Sequence, residues 1–217
     1  MTDDAARRFF DAIAGRYERE YSLPTGESRA RLERLRSRLP APPARVLDLG
    51  VGTGRELTAM LDAGYQPTGV DVSEVMLERC RRRARPVPLL LADFWEPLPF
   101  DGSSFDAAIA LHGTLAHPPE EGSLARLARE LARVVCPGGT FVAEVPSPAW
   151  LDRAASDPRV RRTGPETATY SDPVTGAAIA MRLLSETAWA AAMGASWTTS
   201  VEPIGEAEWL VAAVRAR

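Results

Sequence analysis

The stretch Val46-Leu47-Asp48-Leu49-Gly50-Val51-Gly52-Thr53-Gly54-Arg55-Glu56 decides the fold. A short apolar run ends in three glycines at every second position, 50, 52 and 54, and a helical pattern follows. A strand that passes through a glycine-rich turn into a helix is the opening unit of an open α/β sheet. Ligands bind at such a turn because the helix N-terminus offers free N–H groups. Glycine also lets a ligand approach with no Cβ in the way. Two kinds of nucleotide site use this geometry. A dinucleotide site of the G-x-G-x-x-G type wants its third glycine at position 55, which is Arg55. This chain has G-x-G-x-G instead, with Asp48 inside the strand ahead. A carboxylate there is unhelpful to a pyrophosphate and suits an ammonium group, and burying it unpaired is expensive.

The pattern continues outward from that turn. "PTGVDV" reads as a second strand, with Ser73 as N-cap of the helix "EVMLERCRRRA". "VPLLLA" is a third strand and "FDAAIAL" a fourth. A helix over about 120–135 carries one apolar stripe of Leu124, Leu127, Ala128, Leu131, Val134 and Val135, and "PGG" at 137–139 ends it. "TFVAEV" is a fifth strand. Alternating strands and helices imply parallel strands with right-handed crossovers. The strands lack alternation, as expected when helices cover both faces. The tail holds a hairpin signal in "ATYSDPVTGAAIAMRLL", a helix over about 185–193, and two β-like runs, "SWTTSVEPI" and "EWLVAAVRAR", with a turn near Gly205. Upstream, Phe9, Phe10, Ile13 and Tyr17 recur at helical spacing over residues 1–20. "SLPTGES" breaks that pattern. A second helix from about Ser28 to Leu39 ends at "PAPPA". The prediction is an α/β fold: a doubly wound, mostly parallel seven-stranded sheet with helices on both faces and an antiparallel C-terminal edge strand. Residues 1–43 form a helical cap, 44–146 the ligand-binding core, and 147–217 an acceptor-side segment that completes the same domain.

Composition sets outer limits. The chain has 217 residues and a net charge of −3, so nothing global favours a nucleic acid. Two cysteines, Cys80 and Cys136, read as packing thiols in a reducing compartment. "MTDDAARRFF" lacks an apolar signal core, and no apolar run approaches the roughly 20 residues of a membrane span. A cytoplasmic protein is expected, as a monomer or homodimer, with neither a membrane nor a nucleic-acid partner.

"VLDLGVGTG" resembles the first motif of the class I S-adenosylmethionine-dependent methyltransferases, whose fold is Rossmann-like. "GVDVSEVMLE" is similar to their second motif, and the ribose-binding acid then maps onto Asp71. "LADFWEPLPFDGSSFDAAIAL" resembles the third and fourth motifs, which places the adenine-binding acid at Asp93 with the Phe94 backbone beside it. "LARVVCPGGTFVAEV" is similar to the late helix–turn–strand segment, with Cys136 where a lysine is more usual. The resemblance covers about residues 45–146. "FFDAIAGRYEREY" extends it toward the small-molecule branch akin to ubiquinone and menaquinone biosynthesis enzymes. It implies a donor site of Tyr17, Asp48, Gly50, Gly52, Thr53, Gly54, Asp71, Val72, Met76, Asp93, Phe94 and Leu111. S-adenosylmethionine is the implied cofactor and S-adenosylhomocysteine its product.

Each residue also has a plain alternative. Asp71 could cap a turn, Met76 and Tyr17 could be core, and Asp93 could be a turn residue. His112, directly after the fourth strand, and His117 are the only histidines and the candidate catalytic bases. His112 is the first choice, and either could be a wall residue that moves no proton. No cluster at ligand spacing suggests a metal. Tyr21 lies where the related branch closes a helix over the donor, and Glu144 faces either an acceptor or a loop. The run Arg79, Arg81, Arg82, Arg83 and Arg85 reads as a solvated helix end. Pro118-Pro119 lacks the flanking residues of the D/N-P-P-Y signature. The expected function is methyl transfer from S-adenosylmethionine to a small molecule, with an acceptor cavity walled by the N-terminal helices and residues 150–184. The alternatives are a nicotinamide-dependent oxidoreductase and a non-catalytic regulatory domain that binds the donor.

Overall fold

The computed structural model describes residues 5–21, 27–204 and 206–217. The break expected over "SLPTGES" and the turn near Gly205 fall largely or wholly outside these residues. Three helices come first: α1 (Ala5–Ile13), α2 (Tyr17–Glu20) and α3 (Glu27–Arg36). The central unit is β1 (Arg45–Leu49), α4 (Leu57–Asp62), β2 (Gln66–Asp71), α5 (Glu74–Arg83), β3 (Leu89–Leu91), β4 (Phe105–Ala110), α6 (Ser123–Val134) and β5 (Val135–Pro146). The chain then adds α7 (Ala149–Arg153), β6 (Val160–Arg162), β7 (Thr167–Ser171), β8 (Ala178–Arg182), α8 (Glu186–Met193), β9 (Trp197–Ile204) and β10 (Glu208–Arg215).

Seven strands form one sheet in the order β3-β2-β1-β4-β5-β10-β9. Strands β1 to β5 pair in parallel, and β10 runs antiparallel to both β5 and β9. This is the predicted architecture, with the reversal carried by the last strand. Strand order turns back between β1 and β4, which opens a crevice at their carboxyl ends. Both faces are covered. Val46, Ala107, Ile109 and Val142 pack with Leu32 and Leu35 of α3 and Met60 of α4. Leu47, Leu49, Ala108 and Phe141 pack with Leu127 and Leu131 of α6 and Trp189 of α8. Neighbouring residues of one strand thus point to opposite apolar layers, which is why β1 reads as an unbroken apolar run.

Several local expectations change. The helix foreseen over residues 1–20 is two helices. After Ile13 the chain tightens, and the Arg16 N–H donates to the Ile13 carbonyl at 3.0 Å before α2 begins. "PGG" does not end α6. The helix stops at Val134, and Pro137, Gly138 and Gly139 lie inside β5, which is longer than "TFVAEV". They form an irregularity there: pairing with β4 jumps from Phe105↔Val135 to Ala107↔Thr140. A Cβ on Gly139 would meet the Asp106 carbonyl at 2.6 Å, so the bulge requires glycine. The predicted hairpin is present as β7 and β8, but β6 joins it to make a separate three-stranded sheet. Both cysteines are free thiols. Among the described residues no helix is long and apolar enough to cross a membrane.

Candidate functional site

The glycine turn lies in the crevice between β1 and β4. The Val51 N–H donates to the Val70 carbonyl at 3.0 Å and the Gly54 N–H to the Val51 carbonyl at 2.9 Å, so the turn folds back over β2. Its glycines do different work. Gly50 has φ +65°, and a Cβ there would lie 2.5 Å from Thr114 Cγ2. Gly52 has φ +54°, yet a Cβ there would meet nothing nearer than the Gly50 carbonyl at 3.9 Å; its open side faces the cavity. Gly54 does not line the cavity; its Cα sits against Cys80 Sγ beneath the turn.

Acidic residues surround the opening. Asp71, at the end of β2, accepts from the Gly52 N–H at 2.8 Å and from the Ser73 N–H at 2.9 Å. Burial raises its pKa to about 6, against the pull of those amides. Asp48 is 5 % exposed. Burial first, then the nearby Glu56 and Asp71, pushes its carboxyl well above the ordinary carboxylate range. Glu56, which the sequence reading passed over, is equally buried and lies 2.8 Å from His112 Nε2. Val72 lines the cavity beside Asp71. Asp93 accepts from the Trp95 N–H at 2.9 Å, and it lines the cavity together with Phe94 and Leu111. Met76 is buried among Phe9, Ile13 and Ile179, as its core reading expects, and it also borders the cavity. The Thr53 hydroxyl is buried with no hydrogen-bond partner among the described residues.

A second cavity adjoins the first. Phe10, Tyr17, Arg55, His112 and His117 border both. The second is walled by α1, α2, residues 144–159 and the three-stranded sheet, with Tyr21, Trp150 and Tyr170 among its rings. Tyr17 stacks obliquely on Tyr21, with centroids 5.0 Å apart, and the two tyrosine hydroxyls of Tyr21 and Tyr170 meet at 2.8 Å. Arg55 sits where a dinucleotide loop would place its third glycine. Its guanidinium lies over the Tyr17 ring, 4.9 Å from the centroid, and donates to the Tyr21 carbonyl. It thereby ties the glycine turn to the N-terminal segment. The signal for this role was a bulky cation in a glycine-rich turn.

The two histidines differ. His112 adopts a left-handed backbone, φ 56°, and its Nε2 faces Glu56. His117 Nδ1 lies 2.8 Å from the Ala180 carbonyl. A carbonyl only accepts, so that nitrogen carries the proton and Nε2 is left with its lone pair. Burial lowers the His117 pKa, and the Ala180 contact offsets this in part. Glu144 lines the second cavity and pairs there with Arg31 in a buried ion pair. The arginines at the end of α5 pair with carboxylates: Arg81 with Glu74, Arg83 with Glu18, and Arg85 with Asp62.

Residues 46–139 match a family described as "Methyltransferase domain". The chain is 34% identical over 154 residues to a demethylmenaquinone methyltransferase of Beutenbergia cavernae, covering 69% of this chain and 58% of that protein. It is 32% identical over 143 residues to a dTDP-4-amino-2,3,4,6-tetradeoxy-D-glucose N,N-dimethyltransferase of Saccharopolyspora spinosa, covering 65% and 53%. The chain spans about half the length of the curated relatives it matches. Among solved structures, it shares its fold with an S-adenosylmethionine-dependent methyltransferase from Clostridium acetobutylicum (TM-score 0.73, 13% identity, 96% of this chain and 99% of that one). The CcbJ methyltransferase from Streptomyces caelestis has the same fold (TM-score 0.71, 20% identity, 96% and 98%).

Proposed function

From a chain that carries a class I S-adenosylmethionine-dependent methyltransferase domain, we propose an enzyme that moves a methyl group from S-adenosylmethionine to a small molecule. The observation that carries this reading is the pairing of two cavities at the sheet's switch point. One is bounded by the glycine turn and buried acids, the other by aromatic rings, and they share a wall.

The first cavity fits the donor. The open side of Gly52 admits a ligand against the backbone, and the unpartnered Thr53 hydroxyl awaits a bond. In this reading Asp71 accepts from the ribose hydroxyls, and Asp93 and Phe94 hold the adenine. Asp48 and Glu56 line this cavity, and a bound ammonium or sulfonium would favour the charged form of Asp48 against the burial that otherwise raises its pKa. When bound, S-adenosylmethionine supplies a methyl group on a positively charged sulfur, so its transfer needs alignment more than activation. Phe10, Tyr17 and Arg55 border the crossing point, where they keep water away and fix the line of approach. The acceptor lies in the second cavity, against the N-terminal helices and residues 150–184. A cytoplasmic enzyme, monomeric or homodimeric and acting on metabolites rather than nucleic acid, completes the proposal.

Calorimetry with S-adenosylmethionine and with NADH tests the donor assignment. Saturable binding of the first and none of the second is expected. Tight NADH binding without S-adenosylmethionine binding overturns it. Incubation with isotopically labelled donor and cell extract, followed by mass spectrometry, is expected to label a metabolite. A protein that binds the donor and labels nothing is a regulatory binder instead.

A further inference from the structure

Arg55 borders both cavities. Among the described residues it is the one arginine on the wall of the first, and the chain contains no lysine. Its guanidinium is half-buried and has only neutral company: it lies over the Tyr17 ring and donates to the Tyr21 carbonyl. Tyr17 supplies no counter-charge, because burial raises its pKa and keeps the phenol protonated despite the cation beside it. The arginines of the second wall differ. Arg31 pairs with Glu144, Arg153 with Glu206 and Arg159 with Asp157. Arg55 pairs with no carboxylate among the described residues. Glu56, its neighbour in sequence, faces His112 instead, and Glu208 lies on the second wall without engaging it. A cation drawn out of water without a counter-ion is costly. The N–H groups that Tyr21 leaves over form a planar fork that matches a carboxylate.

The donor has a zwitterionic tail that carries an ammonium and a carboxylate. With the nucleoside assigned to Asp71, Asp93 and Phe94, the rest of the first wall is left for that tail. Its acids, Asp48 and Glu56, suit only the ammonium. The histidines do not serve the carboxylate. His112 is engaged through Nε2 with Glu56, and burial lowers the His117 pKa, so that ring is neutral near pH 7. Arg55 is the charge on this wall that the carboxylate lacks elsewhere.

We propose that Arg55 holds the carboxylate of the donor's amino-acid tail, and that this contact selects ligands that carry one. This rests on the methyltransferase reading above. The guanidinium keeps the Tyr21 carbonyl through one N–H and turns others to the carboxylate. The donor's tail is thereby joined to the N-terminal segment that walls the second cavity.

The test is calorimetry on the full chain with two ligands, S-adenosylhomocysteine and S-adenosyl-3-thiopropylamine. The second keeps the nucleoside, the thioether and the ammonium and lacks the carboxylate. The wild-type protein is expected to bind S-adenosylhomocysteine at least about tenfold tighter than the amine, as a charge-assisted hydrogen-bonded pair would give. Arg55→Gln keeps an N–H donor for the Tyr21 carbonyl and has no charge. Its affinity for S-adenosylhomocysteine should fall about tenfold or more, while its affinity for the amine stays within about twofold of wild type. Arg55→Lys restores the charge without the fork and should bind S-adenosylhomocysteine with intermediate affinity. A residue that only supports the turn would weaken both ligands alike. Three results overturn the proposal. The wild-type protein binds S-adenosylhomocysteine no tighter than the amine; or Arg55→Gln keeps the wild-type affinity for S-adenosylhomocysteine; or a cooperatively unfolding Arg55→Gln loses affinity for both ligands equally. If Arg55→Gln does not unfold cooperatively, the wild-type ratio of the two affinities and its reduction in Arg55→Lys decide. If the wild-type protein binds neither ligand, it is the methyltransferase reading that falls.

Discussion

Asp71 spends its two carboxylate oxygens on amides of its own chain, those of Gly52 and Ser73. It therefore sets the shape of the glycine turn before any ligand arrives. Replacing it by Ala is expected to weaken S-adenosylhomocysteine binding by about 1–3 kcal/mol, read by calorimetry. Affinity unchanged by that substitution would mean the ribose lies elsewhere. The sign of the pH effect follows from its raised pKa. Above about 6 the side chain is ionised and accepts hydroxyl protons; below it the proton occupies an acceptor site. Donor affinity is thus expected to fall as pH drops through about 6. In Asp71→Asn that pH dependence should flatten. Asp48 and Asp71 were legible in the sequence because a carboxylate at the end of an apolar strand has few other reasons to be there. Glu56 and the reach of Arg55 were not. Both follow the turn at helical positions that look solvent-facing, and their direction depends on elements distant in sequence.

At the scale of elements, the N-terminal helices are fastened across the two cavities. Arg16 pairs with Asp172 of the β7–β8 turn, Ser73 Oγ donates to Asp11 at 2.5 Å, and Tyr21 meets Tyr170. Burial alone would raise the Asp172 pKa, but the Thr175 hydroxyl and the Arg16 guanidinium hold it at about 2. This contribution to stability is present above the unfolded carboxylate value near 4 and is lost only as pH falls toward about 2. The Arg16→Leu substitution removes the fastening. Hydrogen exchange over residues 5–13 should then accelerate by about tenfold or more, while β1 and β4 remain protected. Equal protection in the variant would show that the helices are held by apolar packing alone. The split between α1 and α2 escaped the sequence reading because Phe9, Phe10, Ile13 and Tyr17 keep helical spacing across it. Strand β6 escaped because Val160-Arg161-Arg162 shows no strand pattern; pairing with β7 makes it one.

For the whole molecule, the alternation of parallel strands and helices was legible because the strands of the first half are short apolar runs and the intervening helices carry apolar stripes. The place of the first cavity follows from that alternation, since the turn after β1 lies at the switch point of the sheet. The acceptor side was less legible. Its walls come from the two ends of the chain, and no local pattern says that α1 will meet β8. Because the first cavity, the proposed donor site, is assembled from both halves of the sheet and closed by α1, ligand binding there should stabilise the molecule as a unit. At about 100 times its Kd, S-adenosylhomocysteine is expected to add about 2.7 kcal/mol. For a chain of this size that raises Tm by roughly 5–10 °C. A thermal scan that responds to NADH and not to S-adenosylhomocysteine would contradict the assignment.

Gly50 and Gly52 look interchangeable on paper, but they constrain evolution in different ways. An added methyl at Gly50 collides with Thr114, so such a variant is expected to be depleted by the cell's quality control before its chemistry is ever asked for. At Gly52 the methyl projects into open space, with only the left-handed backbone to strain, about 1 kcal/mol. That variant should accumulate to near-normal abundance and still be inert. A library sorted on protein level alone would pass it, and only a second sort on ligand capture would reveal which of the two glycines the fold needs and which the ligand does.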